Sequence, residues 1–593
     1  MPSLPDTICR SSVFALVLVI SSTIAPAQTP DEATQLMVGL KSTDQVLSDL
    51  EYVVSTLAGK KESYEDNIYL NIEVFAFGLA WDRVVRFDSI FDPEHGRQLY
   101  IGVPLESLDA FFEDNLEPIG INPQLQRSDR NLYKLTGNVY QGWLRNLPEP
   151  VPYAGIFPQK EFISKEMVHP QKQHEALEKE GWLAFLKLEN DANGIKQRQD
   201  SMKAVRENAL KDFQKTPDES REEYELRKRM REHTLTILEQ WLVESQFIKL
   251  GLKVNQKEHT APSSFTFHAL PETSLHTALE RIGEPRYFGA IASPEDPVLS
   301  LRGNIPIDEG HQAAYLEIYE MARPVAKERI DGLKKASATE KSARQEVTTL
   351  LLDVLSESIK LGKIDGFMDV TGEGNAHTLT MGIVCSGKDK IAQILEKLPA
   401  AQDGWSLEKD VDKAGDLTVH KLSLGDDVPK SLTDFYGDSK AAYVAVSDEA
   451  FWLGLGDGAL KALKENIETV SAAKVVEPDN VMLSLNMHAQ PVLKNVFDFT
   501  NESDLELIQI FQSRRTFRGT GEGNENRRRR VDALADFEWE QAAIDAMEGL
   551  DDRFEIELHR TEPGKLSGGG NAQQGVLKAV GAVIAKFADE NLR

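Results

Sequence analysis

Gly382 to Lys388 reads G-x-x-x-x-G-K, seven of the eight positions of a phosphate-binding loop. Such a loop turns backbone N–H groups onto phosphates through flexible glycines, and a Ser or Thr after the lysine holds magnesium. Here Asp389 follows Lys388, a carboxylate where the phosphates would lie, and Ile383-Val384-Cys385-Ser386 suits a strand. Ser386-x-x-Asp389 instead predicts a capping box that starts a helix at Lys390 or Ile391. Cys385 shares an apolar face with Met381 and Ile383, and no base is suggested beside it, so it reads as a core thiol.

Other constellations fall short of their chemistry. Glu189, Asp191, Asn193 and Asp200 take positions one, three, five and twelve of a calcium loop, with Gly194 at the turn. Calcium needs such hard oxygens at close spacing. The first position should be Asp and the twelfth is usually Glu. The alternative is a polar turn between two helices or strands. His169, His174 and Glu175 have the wrong spacing for zinc, and no H-E-x-x-H occurs. The G-x-S-x-G elbow of serine hydrolases is also missing. A glycosidase pair cannot be picked from 95 acidic residues, because only geometry selects it. Ser513–Asp532 holds seven arginines and three glycines, which predicts a flexible Arg-rich insert over 513–531 that trypsin should nick. Trp81, Trp452 and Trp539 could line a sugar-binding face, but Trp452 sits in an alternating run that suits packing.

The elements that would position these residues recur. Phe247–Ile282 aligns without a gap on Lys363–Leu398. In the first, Ile248, Leu250, Leu252 and Val254 alternate, then Ser263, Phe265, Phe267 and Ala269, and Leu275, Ala278, Leu279 and Ile282 follow at helical spacing. In the second, Ile364, Gly366, Met368 and Val370 alternate, then Leu379, Met381, Ile383 and Cys385, and Ile391, Ile394, Leu395 and Leu398 form the helical face. The unit is strand, turn, strand, helix. A looser copy closes the chain around Phe554–Leu558 and Val576–Val583, where the glycine-rich connection leaves the second strand doubtful. Shorter cousins occupy Arg97–Leu116, Ala441–Ile467, with Asp457 as helix N-cap, and Asn480–Phe497. Charged helical stretches are expected over 165–246 and 312–360. The expected fold is α+β, in two related domains, 28–340 and 341–593.

Arg10, the apolar run Val13–Ile20 and Ala25-Pro26-Ala27 read as a secretory signal peptide over 1–27. The run is shorter than the roughly 20 residues that cross a bilayer, and no second span follows. One cysteine remains after it, so packed cores rather than a disulfide must stabilise the mature chain. A net charge of −28 disfavours nucleic acid and anionic lipid surfaces as partners.

Leu40–Gly59 and Ala441–Leu463 resemble uncharacterised exported proteins of planctomycete-type bacteria. That resemblance implies export and the repeated plan, and it supplies no activity and no site residue. The expectation is an exported, periplasmic or extracellular, non-enzymatic protein that binds or scaffolds a component of the cell envelope, with a protein or envelope component as partner and no cofactor. The alternatives are a hydrolase of an envelope polymer and a calcium-dependent assembly protein. A concave space between sheet and helices could hold a lipid.

Overall fold

The structure is a computed structural model that describes residues 35–592, apart from most of 161–181, 474–478, 503–537 and isolated positions elsewhere. The stretch expected to be a signal peptide (1–27), His169, His174, Glu175 and the Arg-rich 513–531 stretch lie outside the described residues. The chain is α+β, with every strand pairing antiparallel. Among the described residues no helix is long and apolar enough to cross a membrane.

In chain order, β1 (Gln35–Leu40) leads through α1 (Thr43–Leu50), the wider turns Glu51–Leu57 and Ser63–Tyr69 and α2 (Leu70–Phe75) to β2 (Val85–Asp92) and β3 (Gly96–Pro104). Helical turns at Leu108–Leu116 precede β4 (Ile121–Gln126), β5 (Asp129–Gly137), β6 (Gly142–Leu147) and β7 (Tyr153–Phe157). Next come β8 (Ala184–Glu189), α3 (Ile195–Lys211), α4 (Arg221–Val243), β9 (Ser245–Leu252), β10 (Ala261–Ala269) and α5 (Ser274–Glu280). The chain continues with β11 (Leu299–Pro306), α6 (Glu309–Asp331), α7 (Ala338–Ile359), β12 (Lys363–Thr371), β13 (Thr378–Val384) and α8 (Lys388–Ala401). Then follow β14 (Ser406–Ala414), β15 (Leu417–Ser423), α9 (Lys430–Tyr436), β16 (Ala441–Val446), β17 (Ala450–Leu455) and α10 (Ala459–Ala472). The last elements are β18 (Val481–His488), α11 (Ala489–Glu502), α12 (Glu538–Met547), β19 (Arg553–Glu562), β20 (Lys565–Ala572) and α13 (Gln574–Asn591).

From one edge to the other the sheet runs β4-β5-β6-β7-β3-β2-β1-β8-β9-β10-β20-β19-β18-β11-β12-β13-β17-β16-β15-β14. Subtracting ten from each number on the β20 side returns the order on the β10 side, read outward from the β10–β20 pair. Helices bury apolar residues at both wings. Phe111 and Leu116 cover Val103, Leu144 and Ile156 on one wing, while Leu463 and Ile467 of α10 cover Phe367, Ala445 and Trp452 on the other.

Local chemistry fixes the long helices. Ser220 and Ser337 each close a capping box, with Glu223 and Glu340 respectively. Two other helix starts differ from expectation. Gly387 and Gly458 are the N-caps of α8 and α10, at φ 93° and 79°, with no side-chain cap. Only glycine adopts that left-handed turn without strain, so neither the Ser386–Asp389 box nor an Asp457 cap forms. The Ser386 N–H instead donates to Ser358 Oγ at 3.0 Å.

Further corrections concern strands. β8 lies inside the stretch expected to be helical, because Ala184–Glu189 pairs with both β1 and β9. The doubtful final strand is real: β20 is held between β10 and β19. β12 is buried most deeply on the face opposite to the one its alternation selects. Phe367 packs there, and Asp365 and Asp369 are buried with it because Arg286 and Arg302 neutralise them. Residue 340 falls in the first turn of α7, inside the helical pair that joins β11 to β12.

Candidate ligand-binding grooves

Two concave spaces flank the middle of the sheet, and they differ in chemistry. The first is an apolar groove of about 420 Å³ on the central strands. Its floor is two parallel rows of cross-strand neighbours. One row runs Val38, Leu186, Leu250, Phe265, Gly568, Leu558. The other runs Leu40, Ala184, Leu252, Ser263, Gly570, Ile556. Both cross β1, β8, β9, β10, β20 and β19, which is five strand spacings or roughly 24 Å. Leu250 and Leu252 remain 43% and 44% exposed, and Leu40 is 42% exposed. These are apolar side chains left open on sheet strands, a costly exposure in a folded chain.

Glycines strip one strand of the floor, β20, of side chains. A Cβ on Gly568 would lie 1.9 Å from the Glu557 carbonyl oxygen, and one on Gly570 2.6 Å from that of Glu555. No side chain fits there without moving a neighbouring strand, so β20 presents bare backbone between Phe265 and Leu558.

The second space is a polar cleft of about 800 Å³, lined by α3, α4, α5 and the start of α6. α4 and α6 come from opposite runs of strands. Arg229 Nε donates to Glu317 Oε2 at 2.7 Å and Arg329 Nε to Glu223 Oε1 at 2.8 Å, tying the two helices together. In the cleft His311 Nε2 donates to Gln240 Oε1 (2.6 Å), and Gln240 Nε2 donates to Asp308 Oδ2 (2.7 Å) and Ser274 Oγ (2.8 Å). Ser274 Oγ and the Leu275 N–H both donate to Glu244. Asp308 also caps α6 by accepting from the His311 N–H.

His233 lines the cleft and is only 4% exposed, yet neither ring nitrogen has a hydrogen-bond partner among the described residues. Its ring meets His311 and Tyr315 edge-on, with centroids 5.1 and 4.6 Å apart. Burial, with the neighbouring His311 and Arg229, pushes its pKa down. The imidazole is therefore neutral, with one N–H to donate and one nitrogen to accept.

The residues singled out in the sequence are not gathered at either place. Glu189 ends β8 and pairs with Lys187 at 2.7 Å, while Asp200 is exposed on α3. Asp191 and Asn193 lie outside the described residues. A strand rather than a helix thus leads into this segment, and no group of three potential metal ligands occurs among the described residues. Cys385 is buried against Val354 and Ile391, and burial raises its thiol pKa to about 11, which keeps it protonated. Lys388 reaches Asp448 at 3.2 Å. Trp452 is core, 1% exposed.

Sequence reasoning missed His233 and His311, which stand 78 positions apart on different helices and carry no local motif. It also missed Gly568 and Gly570, whose one visible signal was the triple glycine after Ser567. No family model, no curated protein and no solved structure matches this chain.

Proposed function

We propose that this is an exported binding protein whose central groove takes a slender apolar ligand, an acyl chain or a molecule of that shape. The observation that carries the reading is the pair of exposed apolar rows meeting over the glycine floor of β20. The groove volume of about 420 Å³ falls in the range of small-molecule sites.

The fold-level part of the proposal is that the chain is internally duplicated, with related halves at 35–282 and 299–591. The matching strand order on either side of β10–β20 supports it, as does the strand–strand–helix succession β9-β10-α5, which recurs at the corresponding place as β19-β20-α13. In this reading the boundary lies near residue 290 rather than 340, and the groove is a site that exists only because two copies meet.

The test is titration of the mature protein with a fluorescent C16 acyl chain, beside the variant Leu250→Gln/Leu252→Gln. Both positions are more than two-fifths exposed, so the variant should melt like the parent while losing at least tenfold in affinity. No saturable binding to the parent, or equal binding to the variant, overturns the proposal.

A further inference from the structure

The apolar floor does not stop where the central groove does. Resting on the reading of that groove as an acyl site, we infer that the ligand is a long hydrocarbon chain, of more than about 20 carbons, that runs on from the groove across β18, β11, β12 and β13.

Both rows of the floor continue on the same sheet face. Beyond Leu558 one row runs Leu483, Gly303, Gly366, Ile383. Beyond Ile556 the other runs Leu485, Leu301, Met368, Met381. None of these carries a polar side chain, and each is partly exposed. Gly303 and Gly366 repeat the bare backbone of Gly568 and Gly570. A Cβ on Gly303 would meet no described atom within 4 Å, so the space above β11 is open. The charges of β11 and β12 lie on the other face, where Arg302 pairs with Asp369 and Arg286 with Asp365.

Helices bank this strip on both sides. On one side α5 packs on Phe267 and Leu566, and α7 and α8 on Phe451. On the other, Tyr52, Val53 and α13 pack on Ala261, while α9 and α11 pack on Val370 and Leu379. The two rows between the banks stand two residues apart along each strand, roughly 7 Å. Banks on both sides keep a second sheet off the floor. A charged ligand finds no counter-charge in either row. Ser263 is the one polar side chain there, and it already donates to the Gly570 carbonyl at 3.4 Å. A slender hydrocarbon suits both the width and the lack of polar groups.

Length selects the chain. From β1 to β13 the floor crosses nine strand spacings, or roughly 43 Å. A C–C bond of about 1.5 Å and an angle of about 111° give roughly 1.25 Å of extended chain per carbon. A C16 chain therefore spans about 20 Å and fills only the central groove, while about 34 carbons would reach from β1 to β13.

The experiment is displacement of the fluorescent C16 chain from the mature protein by C16, C20, C24, C28 and C32 fatty acids delivered from cyclodextrin. It is repeated on Gly303→Leu, which puts a side chain into the open space above β11, and on Leu485→Gln beside the end of the central groove. Full burial of a methylene is worth about fourfold in affinity, so a chain buried along one side should gain about twofold per carbon. The parent's affinity should rise roughly tenfold or more from C20 to C32. Both variants should hold C16 as the parent does and bind C32 roughly tenfold more weakly. If the parent binds C16 but gains nothing beyond C20, or if Gly303→Leu binds C32 as tightly as the parent, the extension is overturned and the groove reading stands. Should Gly303→Leu not melt like the parent, Leu485→Gln decides in its place. If the parent binds no chain of any length, the groove reading falls and takes the extension with it.

Discussion

Helices from the two halves of the strand order meet at two seams, and the seams are built oppositely. On α13, Leu577, Ala585 and Ala588 are buried against Tyr52, Val53, Val54, Tyr64 and Ile68. Small side chains let the backbones approach closely and leave no room between them. Against α5 the seam is lined by charged and polar side chains and holds a buried imidazole with no hydrogen-bond partner among the described residues. One seam is packed to join the sheet's two wings. The other gives up packing for a cleft of about 800 Å³.

The largest expected effect strikes the packed seam. A Cβ on Gly581 would stand 2.2 Å from the Val53 carbonyl oxygen. Backbone cannot yield as a flexible side chain does, so Gly581→Val should force α13 off the 51–57 segment. Overpacking of this kind costs about 3 kcal/mol. Urea unfolding should show the midpoint fall; a midpoint equal to the parent's would mean that the seam is not the tight joint described.

At the open seam the expectation reverses. Replacing His233 by Leu removes two unpaired buried nitrogens and fills the same space with carbon, so the ligand-free protein should gain about 1 kcal/mol. The same variant tests pH dependence. The folded-state pKa of His233 is lowered, first by burial and then by His311 and Arg229, against a weaker opposing pull from Asp308; Tyr315 completes its surroundings. Its neutral form is the one that fits. Stability from this residue is fully present above the unfolded pKa near 6.5 and is lost as pH falls through the lowered folded value. His488, beside the packed seam, has the opposite sign. Burial alone would lower its pKa, but hydrogen bonds to Asp552 at 2.7 Å and Asp296 at 3.3 Å together raise it. Its contribution is full below pH 6.5 and fades as pH rises through the raised value. Melting curves from pH 5 to 8 should therefore lose their acid-side decline in His233→Leu and their neutral-side decline in His488→Gln. If His233→Leu declines in acid as steeply as the parent, the imidazole is not the titrating group.

What the sequence disclosed and what it withheld divide along the same line. β9, β10 and α5, like β12, β13 and α8, were legible because a period of two or of 3.6 is written within a few residues. β20 was hard to see because Gly568–Gly570 carry no hydropathy signal, and the strand exists through its partners on both sides. The starts of α8 and α10 were misread because Gly387 and Gly458 cap by backbone conformation, which competes with any Ser or Asp nearby. Burial of Asp365 and Asp369 depends on Arg286 and Arg302, 79 and 67 positions away, and a pattern window cannot weigh that pairing. Both grooves depend on strand order. Leu252 and Ile556 share a floor, and His233 and His311 share a wall, only once β10 meets β20.

The smallest expected effect gives the comparison its sharpest form, because it repeats the Gly581 change where there is room. Thr277 is exposed on α5 and lines the polar cleft. Its hydroxyl donates only to the Thr273 carbonyl one turn back, which water can replace. Thr277→Leu adds bulk to a helix at the open seam as Gly581→Val does at the packed one. Exposed and facing the cleft, the new side chain should leave stability within about 0.5 kcal/mol. Two additions of volume, at corresponding helices of one chain, would then differ by about 2–3 kcal/mol, and the difference would measure how much packing the cleft forgoes. A ligand-free curve that drops as far as that of Gly581→Val would show the cleft to be closed in solution, and the contrast between the seams would be lost.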